Sequence, residues 1–313
     1  MKQETAKDIL LGLSIGDALG VPVEFLSRDV LKSSPVTEMI GYGTHQQPAG
    51  TWSDDSSLAF CLAESLLQGY SVDDLAEKFV KWYQEAYWTA HGKVFDVGIA
   101  TAQALRKIMK GEKPLKAGGV GEYDNGNGAL MRILPLLLYI KDKEIQERFR
   151  LTSEVASITH GHVRSIISCF IYLEYALALL EGKEKQSAYE HMRNTINHFF
   201  KEHPYCDEME YRKFRRVLDD HIIDFQEEEI YATGYVLSTL EASLWCFLTT
   251  DNYVDAVLKA VNLGEDTDTV GCVTGGLAGL YYGHKTIPQQ WLQQLARKED
   301  IVILAEKLEE KYG

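Results

Sequence analysis

Apolar residues recur at helical spacing along most of the chain. In "SVDDLAEKFVKWYQEAYW", Ser71 stands at an N-cap position with Asp74 three residues later, which is typical of a helix start. Leu75, Phe79 and Trp82 then fall on one helical face. Similar patterns predict further helices near 6–19, 55–68, 96–110, 128–140, 150–180, 187–201, 208–220, 232–249, 253–262, 267–282 and 298–311. Alternating strand-like runs are hard to find, so the pattern predicts an all-α protein.

The chain is predicted to form a single domain over residues 1–313. No Pro/Gly/Ser-rich linker and no repeat of fixed period divides it. The segment 181–229 is more charged than its flanks. We interpret it as a helical excursion on the surface, with a solvated face of the main domain as the alternative.

Two predicted helices carry glycine at every fourth position. The six residues are Gly12, Gly16, Gly20, Gly271, Gly275 and Gly279. A glycine inside a helix costs roughly 1 kcal/mol relative to alanine, so such a stripe needs a reason. A bare helical face lets another backbone approach closely, and the two helices are therefore predicted to pack together at the centre of the fold. Close packing with incidental charges nearby is the simpler interpretation.

Composition narrows the class of protein. The chain is 45% hydrophobic and 25% charged, as in ordinary soluble globular proteins, and its formal net charge is −14. That charge disfavours a broad nucleic-acid surface. The five cysteines, Cys61, Cys169, Cys206, Cys246 and Cys272, form no CxxC pair. With no secretory pattern and no apolar run of spanning length, we expect a cytoplasmic protein without a membrane segment.

Two acidic clusters are the main candidates for chemistry. In "TWSDDSS", Asp54 and Asp55 lie among hydroxyl groups, and in "NLGEDTDTVG", Asp266 and Asp268 alternate with threonines. Both clusters stand at predicted helix starts, where capping is the bland explanation. One cap and one early acid suffice for a helix, however, and carboxylates with hydroxyls are the ligands that Mg²⁺ and Mn²⁺ prefer. Four or five carboxylates match two divalent cations better than one.

Three further stretches could face a ligand. "YDNGNGALMR" (123–132) is a Gly/Asn loop predicted to run into a helix, where backbone N–H groups could bind a phosphate; a simple turn is the alternative. "SITHGH" supplies His160 and His162, for which structural roles are the alternative. Asp96 stands at a predicted helix start and could be a cap.

Taken in order, the motifs resemble the ADP-ribosylglycohydrolase family. They are "GLSIGDALGVPVEF", "WSDDSS", "FDVGIAT", "GNGALMR", "THGH", "GYVLSTLEASLW" and "NLGEDTDTVGCVTGGLAGLYYG". Each motif is weak alone, but seven in order cover nearly the whole chain. The resemblance implies an all-α, orthogonally packed multi-helix domain with two Mg²⁺ or Mn²⁺ ions. It also implies hydrolysis of the glycosidic bond between ADP-ribose and a modified protein side chain, most simply arginine.

The resemblance also implies roles for individual residues. The metal ligands would be Ser53, Asp54, Asp55, Asp266, Asp268 and Thr269. Glu24 would act as the acid/base or water-positioning group beside the metals, with Asp96 as the runner-up near the scissile bond. The ADP-ribose pocket would involve Asp124, Asn125, Gly126, Asn127, Gly128 and His160.

The chain departs from the family pattern at both clusters. Ser53 and Ser56 replace the usual threonines and keep the hydroxyl. Glu265 stands where the family usually has glycine, and its carboxylate could tighten cation binding or obstruct the pocket. Two other function classes stay open: a non-catalytic ADP-ribose-binding or toxin-immunity protein, and a hydrolase of another ADP-ribosyl compound such as O-linked serine or a nucleotide.

Overall fold

A computed structural model describes residues 4–313, and it is helical as the hydrophobic spacing predicts. Over these residues no β-strand forms, and backbone pairing outside helices is limited to isolated bridges. The α-helices are α1 Thr5–Gly20, α2 Arg28–Ser33, α3 Asp54–Leu66, α4 Val72–Glu85, α5 Ile99–Met109, α6 Pro114–Ala117, α7 Leu137–Ile140, α8 Ile145–Ser157, α9 Val163–Leu180, α10 Lys185–Glu202, α11 Glu208–Tyr211, α12 Arg215–Leu218, α13 Val236–Leu248, α14 Tyr253–Val261, α15 Thr267–Tyr282, α16 Gln289–Gln294 and α17 Lys298–Tyr312. Short 3₁₀ turns are Val21–Val23, Gly43–His45, Leu134–Leu136, Arg212–Phe214, Ile222–Asp224, Glu227–Glu229 and His284–Thr286.

The two glycine-striped helices, α1 and α15, lie backbone against backbone at the centre of the fold. A Cβ atom added to Gly16 would lie 2.0 Å from the carbonyl oxygen of Gly271. One added to Gly12 would lie 2.5 Å from the carbonyl oxygen of Gly275. Because real Cβ atoms do not approach backbone this closely, only glycine permits the contact. The predicted packing of these two helices is confirmed.

The end of α1 meets the start of α15. A Cβ atom on Gly20 would lie 2.3 Å from the Cα atom of Asp268, and the Thr267 hydroxyl donates to the Gly20 carbonyl at 2.8 Å. Glu24 follows α1 after the short turn Val21–Val23. The helix pair therefore delivers acidic residues from both chain segments to one end of the contact.

Some predicted helices have different boundaries. The helix predicted over 150–180 is two helices, α8 and α9, because the chain turns at 158–162 and places His162 as the N-cap of α9. The helix predicted over 128–140 starts only at Leu134. The segment predicted as a helix over 208–220 consists of single turns. Hydrophobic spacing alone does not reveal these breaks, because apolar residues continue across the turns at 128–134 and 158–162.

One helix corrects the expectation that no apolar run reaches membrane-spanning length. Helix α9 has 18 residues with a mean hydropathy of 1.6, which passes that test by length and composition. However, 89% of it is buried inside the protein. The apolar surface of α9 is thus already covered by other helices, as in the core helix of a globular protein.

The charged segment 181–229 consists of α10, α11, α12 and connecting turns. Its longest helix is amphipathic: Met192 and Ile196 are buried, while its other side carries exposed polar groups. Tyr189 donates to the Val217 carbonyl at 2.6 Å, which ties α10 to the turns that follow it. The high charge therefore belongs to the outer face of a layer that packs on the core.

The helix contact predicts an unusual sensitivity to alanine. Gly16→Ala should lower the free energy of unfolding by about 3 kcal/mol or more, because the added methyl meets rigid backbone. Gly276→Ala is the matched control on α15, since there the atoms nearest to the new Cβ are the side-chain ends of Leu134 and Tyr172 and not backbone. The control should lower the free energy of unfolding by less than Gly16→Ala does, by about 1–2 kcal/mol, because side-chain ends yield more easily than backbone and alanine's helix propensity offsets part of the crowding. Equal losses in urea unfolding would contradict this account.

Candidate metal-binding and hydrolytic site

The two acidic clusters meet in space although they lie more than 200 residues apart in the sequence. The Thr269 hydroxyl donates to Asp55 Oδ1 at 3.4 Å across the junction of α15 and α3. One carboxylate oxygen from each of Glu24, Asp266 and Asp268 lies within 4.8 Å of the others. The tertiary structure therefore forms one acidic site from the two clusters.

This site forms the floor of a cavity of about 650 Å³, a size typical of small-molecule sites. Most of the residues singled out from the sequence line it. They are Glu24, Asp54, Asp55, Asp96, Asp124, Gly126, Asn127, Gly128, His160, Asp266 and Thr269. Ser53, Asn125 and Asp268 do not line the cavity.

These three residues are buried, and each is next in the chain to a residue that lines the cavity. Ser53 is the N-cap of α3 and accepts from the backbone N–H of Asp55 at 3.3 Å. Asn125 holds its loop together, since its amide donates to the Glu122 carbonyl at 2.7 Å. Asp268 is fully buried beneath Glu24 and Asp266.

Helix capping does not account for the aspartates. Asp266 occupies the N-cap position of α15 but makes no capping hydrogen bond; it accepts instead from the Asn127 side chain at 2.9 Å. On α3 the cap is Ser53, so Asp54 and Asp55 are not needed for that purpose. The capping explanation, left open by the sequence, therefore explains Ser53 alone.

Two carboxylate oxygens of the site are unsatisfied within the described part of the chain. Asp55 Oδ2 and Asp268 Oδ2 are buried without a protein hydrogen-bond partner. Buried polar atoms are rarely left so in native proteins. Carboxylate oxygens that are buried and have no hydrogen-bond partner suit a hard divalent cation such as Mg²⁺ or Mn²⁺, which prefers oxygen ligands. The buried acidic cluster is thus consistent with a metal site.

Electrostatics point in the same direction. Burial, and then neighbouring carboxylates, raise the pKa values of Asp54, Asp55 and Asp268 well above the usual range. Protein atoms alone would therefore favour protonation at several of these groups. A bound cation would supply the positive charge that keeps them ionised.

Asp17 is a residue of this region that the sequence analysis missed. Its carboxylate accepts from the backbone N–H groups of Ser53 (2.9 Å) and Ser56 (3.0 Å) and from the Ser56 hydroxyl (2.5 Å). It thereby holds the turn that presents Asp54 and Asp55. Burial raises the pKa of Asp17 to about 7, opposed by these hydrogen bonds. An acid next to Gly16, within the glycine-striped part of α1, was the signal that could have found it.

Glu24 and Asp96 lie on the side of the cluster nearest to the cavity. Burial, followed by repulsion from Asp96 and Asp266, raises the pKa of Glu24 to about 7, and a hydrogen bond from His45 opposes the shift. Asp96 does not cap a helix, because α5 begins at Ile99 with Gly98 as its N-cap. Its backbone is left-handed, with φ of 50°. His45 was not predicted, since a single histidine in a loop carries no sequence signal.

The Gly/Asn loop packs against His160. A Cβ atom on Gly128 would lie 2.7 Å from His160 Cε1, so a larger residue would displace the imidazole. Burial and then the positive charge of Arg132 lower the pKa of His160 to about 3, so the ring is neutral. The expectation that this loop runs directly into a helix is wrong, because the next helical turn starts only at Leu134; the loop does line the cavity.

The mouth of the cavity is apolar. Tyr123, Ile99 and Phe25 line it and are 99%, 79% and 67% exposed. Large exposed apolar groups around a concave site are typical of ligand or partner contact. Sequence reasoning missed this feature, because none of the three differs from a core residue in its local pattern.

Glu265 lies outside the cavity. Its backbone is left-handed, with φ of 62°, which explains why a glycine would suit this position. Its N–H donates to Leu26 and its carbonyl accepts from Phe25, at 2.8 and 2.7 Å. The side chain is exposed and does not line the cavity. The expectation that its carboxylate could obstruct the pocket is therefore wrong for this arrangement.

Comparison with known proteins agrees with these features. The ADP-ribosylglycohydrolase family model matches residues 2–313. The chain belongs to the ADP-ribosylglycohydrolase family. It is 35% identical to the ADP-ribosylarginine hydrolase Tri1 of Serratia proteamaculans (strain 568), over 97% of this chain and 79% of that protein. It is 26% identical to the ADP-ribosyl-[dinitrogen reductase] glycohydrolase of Rhodospirillum rubrum, over 94% and 91%.

A solved structure shows the same ADP-ribosylglycohydrolase fold. The ADP-ribosylglycohydrolase-related protein complex superposes with a TM-score of 0.83 at 32% sequence identity, and the match covers 100% of both chains. The all-helical, single-domain architecture expected from the sequence is thereby confirmed.

The joined clusters predict a shared response to metal. Excess Mg²⁺ or Mn²⁺ should raise the melting temperature of the wild type, since a ligand at a hundred times its dissociation constant adds about 2.7 kcal/mol. Asp54→Asn and Asp268→Asn should each lose most of that gain, and the double variant little more, because the residues act in one site. The control is Asp73→Asn, an exposed acid in the first turn of α4. Independent, additive losses would indicate two separate sites.

Proposed function

We propose that this family member is a metal-dependent hydrolase that removes ADP-ribose from modified protein side chains, with ADP-ribosylarginine as the substrate. The observation that carries the proposal is the convergence of both aspartate clusters and Glu24 on the floor of one cavity. The names of the relatives from Serratia proteamaculans and Rhodospirillum rubrum support the substrate class. Arginine rests on the Serratia proteamaculans relative and on a second ADP-ribosylarginine hydrolase Tri1, from Pseudomonas putida, at 31% identity.

The proposed cofactors are two Mg²⁺ or Mn²⁺ ions. Ser53, Asp54 and Asp55 from α3 and Asp266, Asp268 and Thr269 from α15 would hold them. When bound, such ions supply Lewis-acid polarisation and a template for vicinal ribose hydroxyls. The protein itself excludes water from the floor of the cavity and orients the carboxylates.

In the proposed reaction, the bond between the ribose anomeric carbon and the arginine nitrogen breaks. A water oxygen forms the new bond to that carbon, and a proton reaches the departing nitrogen. Glu24 is placed to move this proton, because its carboxylate lines the cavity beside Asp96 and the aspartate cluster. Asp96 is the second carboxylate at the same wall of the cavity.

The remaining residues bind and orient. The neutral His160 and the loop Asp124–Gly128 form one wall, where they would contact ADP-ribose. Asn127 links this wall to the floor, because its amide donates to Asp266 at 2.9 Å and to Thr239 at 2.8 Å. A substrate that shifts the loop would therefore also shift a metal-site carboxylate.

We also propose a cytoplasmic location and a modified protein as partner. All five cysteines are free, which suits a reducing compartment. The exposed apolar mouth suits a protein-linked substrate better than a nucleic acid, whose phosphates the net charge of −14 would repel.

Substrate and metal dependence can be tested together. The wild type should release ADP-ribose from ADP-ribosylated arginine in the presence of Mg²⁺ or Mn²⁺ and lose that activity after exhaustive chelation. ADP-ribosylserine and an ADP-ribosylated nucleotide should be assayed in parallel. If either is cleaved faster than ADP-ribosylarginine, the protein is a hydrolase of that compound instead. Tight ADP-ribose binding without turnover of any substrate would indicate a binding or immunity protein.

The role of Glu24 predicts a specific kinetic defect. Glu24→Gln should bind metal and ADP-ribose normally but lose at least about tenfold in turnover, since acid/base groups contribute about 10²–10⁴ in rate. Glu265→Gln is the matched control, because it removes an exposed carboxylate nearby in space that does not line the cavity. Near-normal turnover of Glu24→Gln in single-turnover assays would transfer the role to Asp96.

A further inference from the structure

The loop formed by residues 42–47 is docked on the turn that precedes Glu24. The Tyr42 N–H donates to the Gln47 carbonyl at 2.5 Å and closes the loop. Gly43, with φ of +52°, approaches so closely that a Cβ atom there would lie 1.8 Å from the Pro22 carbonyl oxygen. The loop therefore has a fixed position relative to the end of α1, and no side chain larger than that of glycine would allow it.

From this position the loop contacts Glu24 twice. The Thr44 hydroxyl donates to the Glu24 backbone carbonyl at 2.7 Å. The His45 imidazole, through Nε2, is hydrogen-bonded to Glu24 Oε2. Both the backbone and the carboxylate of Glu24 are thus held by residues some twenty positions further along the chain.

His45 also lies beside Asp96. One ligand atom from each of Glu24, His45 and Asp96 lies within 4.8 Å of the others. The imidazole packs between two aromatic rings, with centroids 6.0 Å from Phe25 and 5.2 Å from Phe95. Its side chain is only 14% exposed, so neighbouring groups restrict its rotation.

We propose that His45 is a positioning residue for the hydrolysis: it holds the Glu24 carboxylate towards Asp96 and the aspartate floor. The inference rests on the proposed function and adds a residue to it. A glutamate side chain has three rotatable bonds, and the short turn Val21–Val23 alone does not orient its carboxylate. Without the imidazole the carboxylate can rotate away from the reacting bond, and misplacement by about 1 Å can cost about 10²-fold in rate.

The effect should appear in turnover rather than in binding. The Gly/Asn loop and His160 line the cavity, whereas His45 does not. His45→Ala should therefore lower kcat by about 10- to 100-fold and change KM less than about threefold. His45→Gln, whose amide nitrogen can reach the same carboxylate, should recover most of the loss. His198→Ala, on the exposed side of α10, is the matched histidine control and should behave as wild type.

A double-mutant cycle separates positioning from an independent role. In the Glu24→Gln background, His45→Ala should lower kcat by less than about twofold, because the carboxylate it orients is gone. If the fold-losses in kcat of the two single variants multiply in the double variant, the proposal is overturned. A normal kcat in His45→Ala would also overturn it. Mn²⁺ titration should show the same stoichiometry in His45→Ala as in wild type; loss of a bound ion would make His45 a metal ligand instead.

A stability measurement tests the contact without any assay of activity. In chelator, the change in melting temperature caused by His45→Ala should shrink by at least half in the Glu24→Ala background, which removes the hydrogen-bonding group of residue 24. Additive changes would show that the contact does not form in solution and would overturn the proposal. If the two changes are coupled but the wild type turns over no substrate, the contact exists and the proposed function is wrong. The catalytic part of this inference would then be wrong as well.

Discussion

The direct contact between the backbones of α1 and α15 sets the position of most of the acidic site. Because glycine faces glycine along the contact, the two helix axes come closer than side chains would permit. Asp17 lies on α1 and Glu24 just after it, while Asp266 and Asp268 open α15. A change in the spacing of the two helices would therefore separate the carboxylates that form the floor of the cavity.

Such a cluster is costly for the protein by itself. Several carboxylates are removed from water and placed near one another, and both effects favour protonation. The surrounding fold must therefore stabilise an arrangement that its own electrostatics oppose. The orphaned oxygens of Asp55 and Asp268 show that protein donors satisfy the cluster incompletely. A cation that meets this demand would couple folding stability to the function of the site.

Loops complete the site, and their backbone conformations are specialised. Phe25, Asp96 and Glu265 all have left-handed backbones, which cost energy for residues other than glycine. All three lie beside the cluster, where hydrogen bonds such as that from the Phe25 N–H to the Glu265 carbonyl hold the chain in place. These three are among eight non-glycine residues with positive φ in the described part of the chain, and they fix the backbone on either side of the carboxylates.

The sequence by itself determined the helical class, the glycine contact, and the carboxylates, Gly/Asn loop and His160 that line the cavity. Hydrophobic spacing and glycine periodicity are local properties, and the ordered motifs are specific to the family. Only the tertiary structure decided that Asp17 and His45 belong to the site, that Glu265 does not line it, and that the loop 123–128 precedes no helix. These features depend on contacts between segments that are distant in the chain, and a local sequence pattern does not encode which distant partner a side chain meets.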